Sequence, residues 1–225
     1  MKIDIISDVA CPWCYIGKKN LEAAMAQRPD IHFELQWYPY QLHPEAPPEG
    51  YDYRASIERK YGKQRIDAMF AHITQVAKAA GIDFHLEKIE RGANTLKAHR
   101  LLDLAWQQGG ADGVQNALSE ALLKAYLCEG KNVGDTHTLV EIAAGVGMDP
   151  AAVGEYLRSD QDADKIRAQI DFARRQGVNG VPSFSFDGMF AISGGQQPEV
   201  FLSVIDRVGQ KAEAEAAFCT PDSCP

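Results

Sequence analysis

Two cysteines flanking a proline and a tryptophan, Cys11-Pro12-Trp13-Cys14, stand where an apolar run, Ile3 to Val9, meets a helix-like run, Tyr15 to Ala26. This junction constrains the chain more than any other feature, because a strand, a tight turn and a helix start must share one point. A helix that begins at or just after Cys11 holds the two sulfurs one turn apart, so a disulfide can close without moving the backbone. Its first turn also offers unpaired N–H groups and the positive end of the helix dipole, which favour a thiolate on the first cysteine. In Cys-x-x-Cys sites the thiol pKa can fall from ~8.5 to roughly 3.5–7.5, which makes a nucleophile near neutral pH. Pro12 suits a first helical turn, where its missing N–H is not needed. The motif reads as a redox pair; the competing readings are a structural pair or half of a zinc site.

A chain of 225 residues with 45% hydrophobic composition can build its own core. The formal net charge of −8 argues against nucleic acid or an anionic membrane as partner, since both need basic patches. No apolar run is long enough to span a bilayer. Met1 to Asp8 carries acids inside its apolar run and no small-residue cleavage site, so a cytoplasmic location is expected. The cytosol keeps ordinary thiols reduced. The five cysteines therefore read as a pair, Cys11 with Cys14, a single, Cys128, and a second pair, Cys219 with Cys224.

Phe33, Leu35 and Trp37 alternate with polar residues as in a half-buried strand, which completes a βαβ unit. Pro39, Pro44, Pro47, Pro48 and Gly50 then mark a connector. From Tyr51 to about Gly177 the pattern is almost wholly helical, with amphipathic stretches at Ala93 to Gln108 and Gly113 to Cys128. Asp135 or Thr136 and then Asp149 are candidate N-caps, with Pro150 at a favoured first helical position. Asp162 to Gly177 is a further helix with a glycine stop. Ser183-Phe184-Ser185-Phe186 alternates strictly, Asp187-Gly188 is a two-residue hairpin signal, and Met189 to Ile192 returns as the second arm. Pro198 to Val208 predicts a last helix, and Lys211 to Ala217, small and charged, predicts a mobile tail.

Four sets of residues carry a family resemblance. They are Ser7 to Gly17, Asn94-Thr95 with Ala98-His99-Arg100-Leu101, Gly180-Val181-Pro182-Ser183-Phe184, and Ile192-Ser193-Gly194-Gly195-Gln196. Together they resemble the DsbA-like branch of the thioredoxin superfamily, and within it the FrnE-type proteins. The resemblance implies an α/β chain with a thioredoxin-like fold interrupted by a large all-helical insertion. The expected division is a discontinuous thioredoxin-like domain at 1–43 and 178–225, with an inserted helical domain at 44–177.

Under that resemblance Cys11, on the solvent side of the helix start, is the attacking thiol and Cys14 the resolving one. Asp8 lies close in sequence, and its charge would raise the thiol pKa. Trp13 adds no positive charge between the cysteines, so a potential between ~−270 and ~−120 mV is expected. The family implies that Pro182 follows a cis peptide bond and faces the cysteines. Val181 then pairs through its backbone with an extended substrate, and Trp13 also borders the substrate. Pro221 and Asp222 favour a tight reversal between Cys219 and Cys224. Some FrnE-type proteins carry such a tail pair, so an auxiliary redox relay is implied. Cys128 reads as core. His99 and Arg100 read as surface or packed helix residues, because no metal ligand stands at helical spacing from them.

The leading expectation is a thiol–disulfide oxidoreductase acting on protein or small-molecule disulfides and thiols. It would need no bound cofactor or metal, with glutathione available as thiol co-substrate. One alternative is a glutathione-dependent isomerase or transferase, like the 2-hydroxychromene-2-carboxylate isomerases and kappa-type glutathione transferases of the same branch, which have Ser where this chain has Cys11. Another is a zinc-binding redox sensor using all four paired cysteines. Neither the oligomeric state nor the physiological substrate is written in the sequence.

Overall fold

The computed structural model describes residues 1–218, with 212–218 as backbone alone. The tail pair, Cys219 and Cys224, lies outside the described residues.

The front of the chain forms β1 (Lys2–Ser7), α1 (Pro12–Met25) and β2 (Glu34–Pro39). β1 and β2 run parallel, with Ile3 opposite Leu35 and Ile5 opposite Trp37, as a βαβ crossover requires. The back of the chain returns as β5 (Ser183–Phe186) and β6 (Phe190–Ser193). β5 lies antiparallel on the free side of β1, and the sheet order is β2-β1-β5-β6. The hairpin turns where the Asp-Gly pair predicts, with Asp187 at φ 47° and Gly188 at φ 68°.

Between β2 and β5 come β3 (Tyr51–Asp52), α2 (Tyr53–Tyr61), α3 (Lys63–Ala79) and β4 (Arg91–Gly92). They are followed by α4 (Leu96–Gly109), α5 (Gln115–Leu127), α6 (Thr136–Gly145), α7 (Pro150–Arg158) and α8 (Ala163–Arg175). Asp135 and Asp149 cap α6 and α7, accepting from the N–H groups of Thr138 and Ala151 at 2.8 Å each. The stretch expected to be almost wholly helical thus contains a two-stranded ladder, in which Tyr51 pairs with Gly92 and Asp52 with Arg91. Strands of two residues carry no readable alternation.

The last helix, α9 (Pro198–Phe218), overruns the expected stop and replaces the mobile tail foreseen at 211–217 with helix. Alanine, glutamate and lysine dominate that stretch, and they are strong helix formers.

Two hydrophobic clusters divide the molecule. One joins Ile3, Ile5, Phe184 and Phe186 of the sheet to Leu21 and Ala24 of α1 and Phe201 and Ile205 of α9. The other unites α3 to α7 and takes in Cys11, Cys14, Tyr15 and Ile16. α1 therefore spans both: its later turns pack on the sheet, and its first turn, with the cysteines, packs into the helical core.

Candidate active site

Cys11 is the N-cap of α1, in extended backbone at φ −94° and ψ 115°, with Pro12 opening the helix. The turn before it is closed by the Cys11 N–H donating to the Asp8 carbonyl at 3.0 Å. The Cys14 N–H donates to the Cys11 carbonyl at 3.1 Å, which seats the second cysteine one turn inside. Both are free thiols in this structure. Burial pushes the Cys14 thiol well up, and hydrogen bonding and charge from Cys11 push it further, against smaller opposing pulls from Ser7 and the Asp8 backbone.

The Val181–Pro182 peptide bond is cis. The Val181 carbonyl lies 3.6 Å from Cys11 Sγ, a long S–H···O contact. Two glycines make this approach possible. A Cβ on Gly17 would lie 3.0 Å from the Phe184 ring and 3.1 Å from the Pro182 ring, and one on Gly195 would lie 2.9 Å from the Trp13 carbonyl. The loop after β6, the cis-proline turn and α1 thus meet backbone to backbone around the motif.

Cys11 is 4% exposed, so it does not lie on the solvent side of the helix start as the sequence reading expects. Sequence proximity cannot foresee the cause, which is cover from residues far along the chain. Trp13 meets the His72 ring of α3 with centroids 6.4 Å apart. Tyr53 of α2 stacks on Phe70 of α3 at 6.5 Å and meets Tyr126 of α5 edge-on at 6.5 Å. Burial raises the phenol pKa of both Tyr53 and Tyr126, so these neighbours remain neutral.

Asp8 is buried, and its carboxylate accepts from the Leu42 N–H at 2.8 Å and the Ala10 N–H at 3.3 Å. Its role is to tie the strand-to-helix turn to the segment after β2. His99 is equally buried, with Nε2 3.5 Å from Asp8 Oδ1, a distance for a loose ion pair if the ring is protonated. Arg100 is packed as well: its guanidinium donates to the carbonyls of Tyr156, Ser159 and Gln161 at the C-terminal end of α7 and lies over the Tyr156 ring. That is a helix-end cap, favoured by the negative end of the dipole. Cys128 packs at the end of α5, where burial pushes its thiol up to about 11, too high to compete as a nucleophile.

Of the residues singled out from sequence, Cys11, Cys14, Trp13, Val181 and Pro182 come together at one point. Tyr53, Phe70, His72 and Tyr126 were missed, since nothing local marks a helix residue that covers a site 40 or more positions away. Among the described residues no cluster of three or more His, Cys, Asp or Glu could hold a metal ion. No described helix is long and apolar enough to cross a membrane. A cavity of about 700 Å³ opens between α8 and the sheet face opposite α1, bordered by Ile6, Tyr38, Phe172 and Ser183 among others; no cysteine lines it.

Comparison with known proteins adds the lineage. The profile of DSBA-like thioredoxin domains matches residues 2–206. A probable DsbA oxidoreductase from Streptomyces coelicolor is 31% identical, superposes with a TM-score of 0.83, and shares 92% of this chain and 89% of its own. The Bacillus subtilis protein YwbO is 26% identical over 207 residues, 90% of this chain and 94% of that protein. A cytosolic disulfide reductase, DsbM from Pseudomonas aeruginosa, solved with GSH, shares the fold at 17% identity and a TM-score of 0.64, over 93% of this chain and 100% of its own.

Proposed function

Because this chain belongs to the DSBA-like thioredoxin domain family, we propose that it is a thiol–disulfide oxidoreductase whose redox pair is Cys11 and Cys14. The observation that carries this reading is the placement of Cys11 at the N-cap of α1, with Cys14 one turn inside and the Val181 carbonyl 3.6 Å from Cys11 Sγ. Cys11 attacks one sulfur of a substrate disulfide R–S–S–R, forming a Cys11–S–S–R bond and expelling one thiolate. Cys14 then loses its proton and attacks Cys11 Sγ, closing the Cys11–Cys14 disulfide and releasing the second thiolate. Two electrons have passed from the dithiol to the substrate. Two molecules of a thiol such as glutathione reverse the protein half of the exchange and leave as their own disulfide.

The electrostatics support this division of labour. Burial holds the Cys14 proton in place, and so do the hydrogen bond and charge of Cys11. The Cys11 contributions vanish once its sulfur is in a mixed disulfide, which eases proton loss from Cys14 at that stage while burial continues to oppose it. Trp13 and the Val181–Pro182 backbone border the reacting sulfurs and would position the substrate. Cys219 and Cys224 would act as an auxiliary pair that exchanges electrons with the first.

The test is catalysed reduction of bis(2-hydroxyethyl) disulfide with glutathione as donor. Cys11→Ser should lower the rate by at least about 100-fold, as removal of an attacking nucleophile does. The Cys219→Ser/Cys224→Ser double variant shows whether the tail contributes. An undiminished rate in Cys11→Ser would falsify the assignment.

A further inference from the structure

α2 and α3 form a hairpin of two helices that meets the Cys-x-x-Cys motif where His72 packs against Trp13. Three properties set it apart from the rest of the helical region. First, it is lightly embedded: α2 buries none of its residues, and α3 buries Ile66, Ile73 and Ala77 alone. Second, its entering and leaving chains are tied to each other below the helices, and the leaving chain is sunk in the helical core through Ile82, Phe84 and Leu86. The β3–β4 ladder holds the entering and leaving chains side by side, reinforced by the Tyr53 N–H donating to the Glu90 carbonyl at 3.2 Å. Third, its two helices are joined by an exposed ion pair, Arg54 with Asp67 at 3.9 Å, while Arg54 and Glu58 pair within α2. Over the motif the hairpin rests through the His72 ring on Trp13, while Phe70 of α3 backs the ring of Tyr53 at the start of α2.

The attacking sulfur lies beneath this cover, in a residue 4% exposed, with the Val181 carbonyl already occupied by the Cys11 thiol. A polypeptide disulfide brings a strand on each side of its sulfurs, and a strand needs about 4.8 Å of clear width beside its partner. A small linear disulfide needs only a slot one chain wide.

We propose that α2 and α3 form a gate that restricts Cys11 to low-molecular-weight disulfides, and that Phe70 and His72 are the residues that set this selectivity. The inference rests on the redox reading of Cys11 and Cys14. The exchange is the one written above, with the two-electron oxidation of the dithiol balanced by release of two small thiols. Polypeptide disulfides react only through the open gate. If the open form is about 1% of the population, their rate falls by about 100-fold while small disulfides are unaffected.

The experiment mixes the reduced full-length protein with bis(2-hydroxyethyl) disulfide or with insulin. Each single-turnover rate is divided by that of a reduced Cys-Pro-Trp-Cys peptide, which removes the intrinsic reactivity of the disulfide. Wild type should favour the small disulfide by about 100-fold on this scale. Phe70→Ala and His72→Ala should each raise the insulin rate at least about fivefold, with less than a twofold change for the small disulfide. The retained small-disulfide rate reports an intact fold, and His72 is exposed, so its variant does not depend on core packing. Equal normalised rates in wild type, or variants that leave the ratio unchanged, overturn the gate while the redox reading stands. Failure of wild type to react with either disulfide overturns the redox reading and the gate together.

Discussion

The helical region meets the sheet domain in two different ways. Along α5 the contact is made by buried polar bonds. Gln115 is 2% exposed; its Oε1 accepts from the Trp37 N–H at 2.9 Å, and its Nε2 donates to the carbonyls of Trp37 and Leu102 at 3.1 Å each. A side-chain amide thus plays the part of a neighbouring strand along the outer edge of β2, which would otherwise expose unpaired backbone groups. One turn on, Glu120 gathers Lys18 and Lys19 of α1 at 2.8 and 2.7 Å and accepts from the Tyr15 hydroxyl at 2.8 Å. Along α2 and α3 the contact is made by rings, and among the described residues no such bond lies at its centre. The lesson is that one insertion can be welded on one side and hinged on the other. The welded side holds α1, and hence the cysteines, in place; the hinged side decides what reaches them.

The sharpest way to break this comparison is to remove the weld. Gln115→Leu strands the Trp37 N–H and carbonyl in a buried place, which should cost about 3 kcal/mol in urea unfolding. Phe70→Ala, on the hinged side, should cost about 1 kcal/mol, because a half-buried ring leaves little cavity behind. Equal losses from the two would erase the distinction.

A smaller effect sharpens it further. Burial alone would raise the Glu120 carboxyl, but the hydrogen bonds from Lys18 and Lys19 outweigh it and hold it below the usual carboxylate range. Such a group binds fewer protons folded than unfolded. Its contribution is therefore complete above the unfolded pKa and drains away as pH falls through the folded one. Glu120→Gln should cost about 1–2 kcal/mol near neutral pH, a figure discounted for partial solvent access. The gap from wild type should narrow between about pH 5 and about pH 3. A gap that holds constant or widens on acidification would show that the ion cluster is not what fastens α5 to α1.

What was legible in the sequence was whatever the chain decides locally. The Cys-x-x-Cys at a strand-to-helix turn, the Asp187-Gly188 hairpin and the caps Asp135 and Asp149 each depend on a few adjacent residues, and each is found where the pattern puts it. The extension of α9 was also written locally, in a run of good helix formers, but its charge was read as solvation. The burial of Cys11 was not legible. It comes from the helical core that Cys11 joins, with Tyr53 and Phe70 packed against that core and His72 against Trp13, all of them distant from the motif in sequence. The same holds for Gln115, whose amide is a surface residue in any local reading and an edge-strand cap in the fold. His99 and Asp8, 91 positions apart, are joined by burial, which no spacing rule anticipates.

The most direct test of the central claim is to trap the intermediate. Cys14→Ser/Cys219→Ser/Cys224→Ser protein, reduced and mixed with one equivalent of bis(2-hydroxyethyl) disulfide, is digested without reductant and mapped by mass spectrometry. The account requires a single stable adduct of one 2-mercaptoethanol per chain on Cys11, with Cys128 unmodified. An adduct on Cys128, or none on Cys11 while the protein remains folded, would contradict it.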